Sequence, residues 1–135
     1  MSETNEQAIS KGDGYAVANL SDLGEGPGFR KIRKALGVTA FGVNAIVLPP
    51  AYATGSHYHD EQEELYFLHS GHVAIEFGDG SSHELEAGGL AWVDASTERR
   101  LKNLSDTEEA VYVVVGGKDG YVGRDGKLAE GETHR

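Results

Sequence analysis

Residues 55–71 read GSHYHDEQEELYFLHSG. His57 and His59 stand two residues apart, and in an extended segment side chains of equal parity point the same way. A carboxylate follows shortly, then an apolar and aromatic run, then Gly71. Imidazole and carboxylate on one face of a sheet form a ready donor set for a divalent transition metal. The reading of the whole chain turns on this stretch.

Outward from it the pattern is strand after strand. Upstream, Val38 to Leu48 is rich in β-branched and aromatic residues and stops at Pro49-Pro50, which cannot donate to a ladder. Further strands are predicted over 53–59, 64–69, 72–77, 82–85, 90–93, 99–103 and 110–115, with Gly78-Asp79-Gly80 as a hairpin signal. Short strands at close spacing, punctuated by turn residues, predict an all-β sandwich or barrel. Tyr15 to Leu20 reads as a peripheral strand and Phe29 to Leu36 as a short helical turn. Residues 1–14 read as a flexible polar tail, 15–117 as one β-barrel domain, and 118–135 as a polar, glycine-rich tail.

The bulk properties agree with one small domain. A chain of 135 residues is long enough for a single core. It has no cysteine, so a disulfide framework or a thiolate metal site is excluded. A formal charge of −10 argues against nucleic acid as a partner, since phosphate contacts need clustered Lys and Arg. The one basic cluster, Arg30 to Lys34, is short and reads as a solvated surface. The opening residues lack the apolar stretch of a signal peptide or anchor, and no later run reaches the length of a membrane span. The expected location is cytoplasmic, with no membrane partner.

The residues His57-x-His59, four residues, Glu64, six residues and Gly71 resemble the first motif of the cupin superfamily. Glu63 is a rival for the carboxylate, but only Glu64 keeps the spacing to Gly71. Gly55 lies closer to His57 than the opening glycine of that motif does. Around the second motif, Gly88 matches the opening glycine and Asn103 the asparagine. Asp94 stands where a proline is expected, Ser96 where a glycine is, and Arg99 where the third metal-binding histidine is. The resemblance spans about 41–115 and is to small single-domain bacterial cupins. It implies a cupin-type β-barrel (a double-stranded β-helix or jelly roll) with a pocket. It further implies a site for a divalent transition metal (Fe, Mn, Zn or Ni) on His57, His59 and Glu64, the three positions that match. It implies no particular reaction, because the superfamily also holds dioxygenases, decarboxylases, sugar isomerases, storage proteins and sugar-binding regulator domains.

The replacement at position 99 leaves three readings open. In the first, His57, His59 and Glu64 hold a metal as a facial triad, suited to oxygenase-type chemistry, and Arg99 beside it clamps an anionic substrate group. A guanidinium near a dication is repelled by several kcal/mol at an effective dielectric of about 20, which an anion between them would relieve. In the second, Arg99 takes the place of the metal by pairing with Glu64, and the histidines become neutral donors in a binding pocket. In the third, Arg99 points to solvent and the site is a remnant. Strand parity favours an inward Arg99, because Arg100 and Lys102 share the opposite face.

Other residues divide by the same parity. Tyr66 shares the inward face of Glu64 and can offer its hydroxyl to a small polar or anionic molecule. His69 lies on the opposite face, and His72 and His83 read as exposed strand residues. Leu65 and Phe67 make the outer face of their strand apolar as well, which predicts a cover such as the second copy in a homodimer.

Overall fold

The computed structural model describes residues 4–123 and 125–132. The first third of the chain holds β1 (Ser10–Gly12), β2 (Tyr15–Val17), β3 (Gly28–Arg30) and the helical turn α1 (Ile32–Leu36). There follow β4 (Gly42–Leu48), β5 (His57–His59), β6 (Glu63–Ser70), β7 (His72–Phe77) and β8 (Ser82–Glu86). The series ends with β9 (Leu90–Val93), β10 (Arg99–Asn103), β11 (Ala110–Gly117) and β12 (Gly126–Leu128). No helix among the described residues is long and apolar enough to cross a membrane.

All ladders are antiparallel, and they form two five-stranded sheets, ordered β3-β4-β11-β6-β9 and β12-β5-β10-β7-β8, beside a separate β1-β2 hairpin. A jelly-roll arrangement fits this topology, although the hydrogen-bonded ladders leave two sheets rather than one closed barrel. Leu48, Tyr66 and Tyr112 from the first sheet pack with Val73, Ile75 and Leu101 from the second, so the two inner faces share one core. Two-fold alternation decides which side chains enter it. Along β6, Glu64, Tyr66 and Leu68 are buried while Glu63, Leu65, Phe67 and His69 are exposed. Along β10, Arg99, Leu101 and Asn103 are buried while Lys102 is exposed.

The inner faces change character along their length. Leu48 on β4 and Ala110 and Tyr112 on β11 belong to the packed end. Toward the other ends of these strands stand Gly42, Asn44 and Gly116. A cavity of about 270 Å³ remains there, lined by those residues together with His57, His59 and Glu64.

One polar side chain and one glycine hold the frame. Asn103 is fully buried; its amide donates to the carbonyls of Leu48, Pro49 and Glu108 at 3.2, 3.1 and 2.8 Å, and its own carbonyl accepts from Ser105 N–H at 2.9 Å. It thereby ties the end of β10 to the end of β4, where the prolines leave carbonyls outside any ladder. Gly71 turns the chain from β6 to β7 at φ 95°, and a Cβ there would lie 2.8 Å from the Ala110 Cα, so any larger residue meets both strain and a clash.

The strand pattern read from sequence agrees with the structure in the middle of the chain and differs near its ends. The expected strand over 53–59 shortens to His57–His59, because Thr54 spends its backbone N–H and its hydroxyl on Leu101 rather than on a regular ladder. Within 118–135, whose sequence reads as a polar tail, Gly126–Leu128 pairs with His57–His59 as an edge strand. Three residues with one lysine carry no periodic signal; the partner strand supplies the order. Likewise Ser10–Gly12, within the expected N-terminal tail, pairs with Tyr15–Val17.

Candidate metal centre

Strand β5 places His57 and His59 on one side of the second sheet, and β6 brings Glu64 toward them from the first. One donor atom from each lies within 4.8 Å of the others, so the three can converge on a single ion. The rings of His57 and His59 stand edge to face with centroids 5.3 Å apart. All three residues, with Tyr66, line the cavity.

Arg99 points inward, as parity requires, but it does not stand on the cavity wall. Its side chain has no exposed surface. Its Nη2 donates to Glu64 Oε1 at 3.0 Å and its Nε to the Tyr66 hydroxyl at 3.2 Å. Its Nη1 reaches the carbonyls of Thr97, Ala95 and Asp94 at 2.6, 3.1 and 3.4 Å. The guanidinium is therefore committed to protein acceptors behind Glu64. The sequence reading of Arg99 as a clamp on an anionic substrate needs a free guanidinium face, and this packing leaves none. Tyr66 is similarly engaged: its hydroxyl donates to Glu64 Oε1 at 2.7 Å while accepting from Arg99.

These contacts set the protonation of the donors. Burial, followed by the positive charge of Arg99, lowers the His57 imidazole from 6.5 to about 4, so at neutral pH it offers a lone pair. Burial alone would raise the Glu64 carboxyl, but the nearby His59 ring, the Tyr66 hydroxyl bond and the Arg99 charge outweigh it and hold the group ionised below its usual range. Burial and the Glu64 charge push the Tyr66 hydroxyl well above its ordinary value, which keeps it a donor. The pocket floor thus offers a neutral imidazole and a carboxylate, both ready to coordinate.

One atom tests whether a cation suits this set. His59 Nε2 is buried and has no aligned hydrogen-bond partner. Glu64 Oε1 lies 3.2 Å from it, but off the line of a good bond. An orphaned buried nitrogen facing a carboxylate beside a second imidazole is the arrangement a divalent ion completes. The donor set fits the group that the sequence implies.

Two neighbours of the site carry no motif signal. Gln62 Nε2 lies 3.1 Å from His59 Nδ1 and 3.3 Å from Glu64 Oε2. The buried Asp125 carboxylate accepts the backbone N–H groups of Asp60, Glu61 and Gln62 at 3.1, 3.0 and 2.8 Å, and so fixes the turn between β5 and β6. In the sequence, Gln62 sits inside an acidic run that reads as a solvated loop, and Asp125 sits in the polar segment far downstream. Only the Asp125-Gly126 pair, a turn signal, hints at either. Of the other histidines among the described residues, His72 pairs with Glu84 on the surface at 2.9 Å, and His69 and His83 are exposed; none of these three lines the cavity.

The comparisons with known proteins agree on the fold. Residues 45–116 match the family described as "Cupin domain". No curated protein matches the chain by sequence. Among solved structures, a sugar phosphate isomerase of the cupin superfamily from Silicibacter pomeroyi is 23% identical with a TM-score of 0.63, over 87% of this chain and 67% of that one. An uncharacterized protein with a double-stranded β-helix domain from Klebsiella pneumoniae is 22% identical with a TM-score of 0.59, over 67% and 71% of the two chains. A DMSP lyase from Ruegeria pomeroyi is 17% identical with a TM-score of 0.60, over 69% of this chain and 46% of that one. Another DMSP lyase structure is matched over 44% of its length, so the chain spans less than half of these lyases.

Proposed function

This chain belongs to the cupin family, and on that premise we propose that it holds a divalent transition metal on His57, His59 and Glu64 and works on a small polar molecule in the cavity beside them. The inner faces of the two sheets line that cavity. The observation that carries the proposal is the unbonded, buried His59 Nε2 within reach of the Glu64 carboxylate and the neutral His57. A bound ion of this kind supplies Lewis acidity and open coordination positions, as in facial-triad sites, and oxygenase-type chemistry is the reaction class that set suits. The chain's own residues prepare the centre. Arg99 offsets the charge of Glu64 from behind and holds its orientation, and Tyr66 fixes the same oxygen from the side. The similar structures include an isomerase and a lyase, so this fold serves more than one reaction, which supports an enzyme without choosing one.

A second reading has its own observation. The 3.0 Å contact between Arg99 and Glu64 places a permanent positive charge against the carboxylate, which is the service a metal would give. In that case the cavity is a non-catalytic binding site for a small molecule. One substitution separates the two. Arg99 stands directly opposite His57 in the β5–β10 register, so a histidine at 99 would point beside it. Arg99→His should bind Zn²⁺ or Ni²⁺ at least about tenfold more tightly than wild type, on the order of 1.4 kcal/mol, by titration calorimetry on untagged protein. Metal bound by both proteins supports the metal centre. Metal bound only by the variant supports the second reading, and no binding by either removes the donor set from consideration.

We further propose that a second copy covers the outer face of β6 and β9. Leu65 lies opposite Trp92 and Phe67 opposite Leu90 across this strand pair, and all four are exposed, Trp92 at 62%. Cross-strand apolar pairs facing water form a strip suited to self-association. Wild type should sediment as a dimer at micromolar concentration, and Phe67→Glu with Trp92→Glu should sediment as a folded monomer. A wild-type monomer would sink the proposal.

A further inference from the structure

We propose that Gln62 and Asp125 act as opposed positioning residues on His59, with Gln62 selecting the tautomer that blocks a cation and Asp125 the one that admits it. The functional meaning rests on the metal centre proposed above; the hydrogen-bond argument does not.

The Gln62 amide faces two acceptor-capable groups at once, Glu64 Oε2 at 3.3 Å and His59 Nδ1 at 3.1 Å. An ionised carboxylate oxygen can only accept. The Gln62 carbonyl turned that way would set lone pair against lone pair, so the NH₂ group must face Glu64. The same NH₂ then faces His59, and Nδ1 must accept. A neutral imidazole with an accepting Nδ1 carries its hydrogen on Nε2. That hydrogen lies toward Glu64 Oε1, 3.2 Å away and poorly aligned. In the metal-free protein a proton therefore occupies the space between the two donor atoms that a cation would fill.

Asp125 asks for the opposite. Its Oδ2 lies 3.7 Å from His59 Nδ1, just outside bonding range, and it too can only accept. If Nδ1 carried the hydrogen, Asp125 would receive it, and Nε2 would present a free lone pair to the cavity. A carboxylate behind a ligating histidine is the usual support for that tautomer. Coordination through Nε2 thus requires the hydrogen to leave Nε2 and another to be taken up on Nδ1, with no net change in protons on the ring. His59 exchanges its contact with Gln62 for one with Asp125. The exchange is short-ranged, because Asp125 also holds the backbone of Gln62 itself at 2.8 Å.

The test is made on the full chain, metal-free and labelled with ¹⁵N, above about pH 8, where an ordinary imidazole is neutral. Long-range proton–nitrogen correlation spectra read the His59 tautomer directly. Wild type should show hydrogen on Nε2. Gln62→Met, which removes the donor and keeps the length, should show hydrogen on Nδ1. Gln62→Glu, which replaces the donor by an acceptor, should do the same and serves if the methionine variant misfolds. Wild type with hydrogen on Nδ1, or variants with hydrogen still on Nε2, would overturn the inference. Zn²⁺ is then added to each protein. A tautomer that switches in the variants without Zn²⁺ uptake upholds the inference and rejects the metal centre. Zn²⁺ uptake with an unswitched tautomer rejects the inference and upholds the metal centre.

Discussion

Replacing Arg99 by methionine is expected to destabilise the protein by about 3–5 kcal/mol, the usual cost of removing one partner from a buried ion pair. The physical loss is not the attraction alone. Glu64 keeps its burial and loses the guanidinium bond at 3.0 Å, while the carbonyls of Ala95 and Thr97 lose a shared donor. Methionine fills much of the volume, so cavity formation adds little. For a domain of this size the midpoint of thermal unfolding should fall on the order of 10–20 °C. Adding Glu64→Gln removes the stranded charge and should recover part of the loss. A double-mutant cycle measures the coupling, and simple additivity of the two substitutions would show that the pair is not the source.

Stability should fall as pH drops from about 6.5 to about 4, by on the order of 2–3 kcal/mol from His57 alone. The sign follows from its depressed value in the fold, about 4 against 6.5 unfolded. Between those values the unfolded chain binds a proton that the folded chain refuses. The contribution is therefore fully present above 6.5 and is lost as pH falls through the window. Glu64 adds to the loss further into acid, because its carboxyl is also held below its ordinary range. Urea unfolding at a series of pH values checks this. The variant His57→Gln should show a flatter dependence, and an unchanged slope in that variant would place the acid sensitivity elsewhere.

The parts of the site that were legible in sequence are those set by local spacing. His57 and His59 share a face because they are two apart on a strand, and Glu64 is marked by its distance to Gly71. The inward placement of Arg99 followed from Arg100 and Lys102, whose charges need water. Its pairing with Glu64 was one of the readings the sequence left open, and it is present at 3.0 Å; its backbone partners did not follow, because the carbonyls of Asp94, Ala95 and Thr97 are backbone groups in a loop and no side-chain pattern announces them. Gln62 and Asp125 were hidden for a related reason. A glutamine among acids looks solvated, and a polar segment offers no periodicity from which a buried carboxylate could be read. Strand β12 was missed with it, since its order comes from pairing with β5 across a long sequence separation. Trp92 stands on the exposed face of β9 and donates its indole N–H to Glu63 at 2.7 Å.

The cavity wall draws on segments near both ends of the described chain. Phe29 lines it from the early part, and Tyr121, Val122, Asp125 and Gly126 from the late part. Arg33, on α1, stacks over the Tyr121 ring at 3.9 Å and joins the two. On the ribosome, therefore, the order of emergence matters. A nascent chain that has reached Gly117 already carries both histidines, Glu64 and Arg99, and can pair most of its strands. It still lacks Tyr121, Val122, Asp125 and Gly126 of the cavity wall, and with Asp125 the carboxylate that pins the turn between β5 and β6. The binding proposed for this cavity therefore depends on Gly126–Leu128 folding back onto His57–His59, the first strand of the donor set.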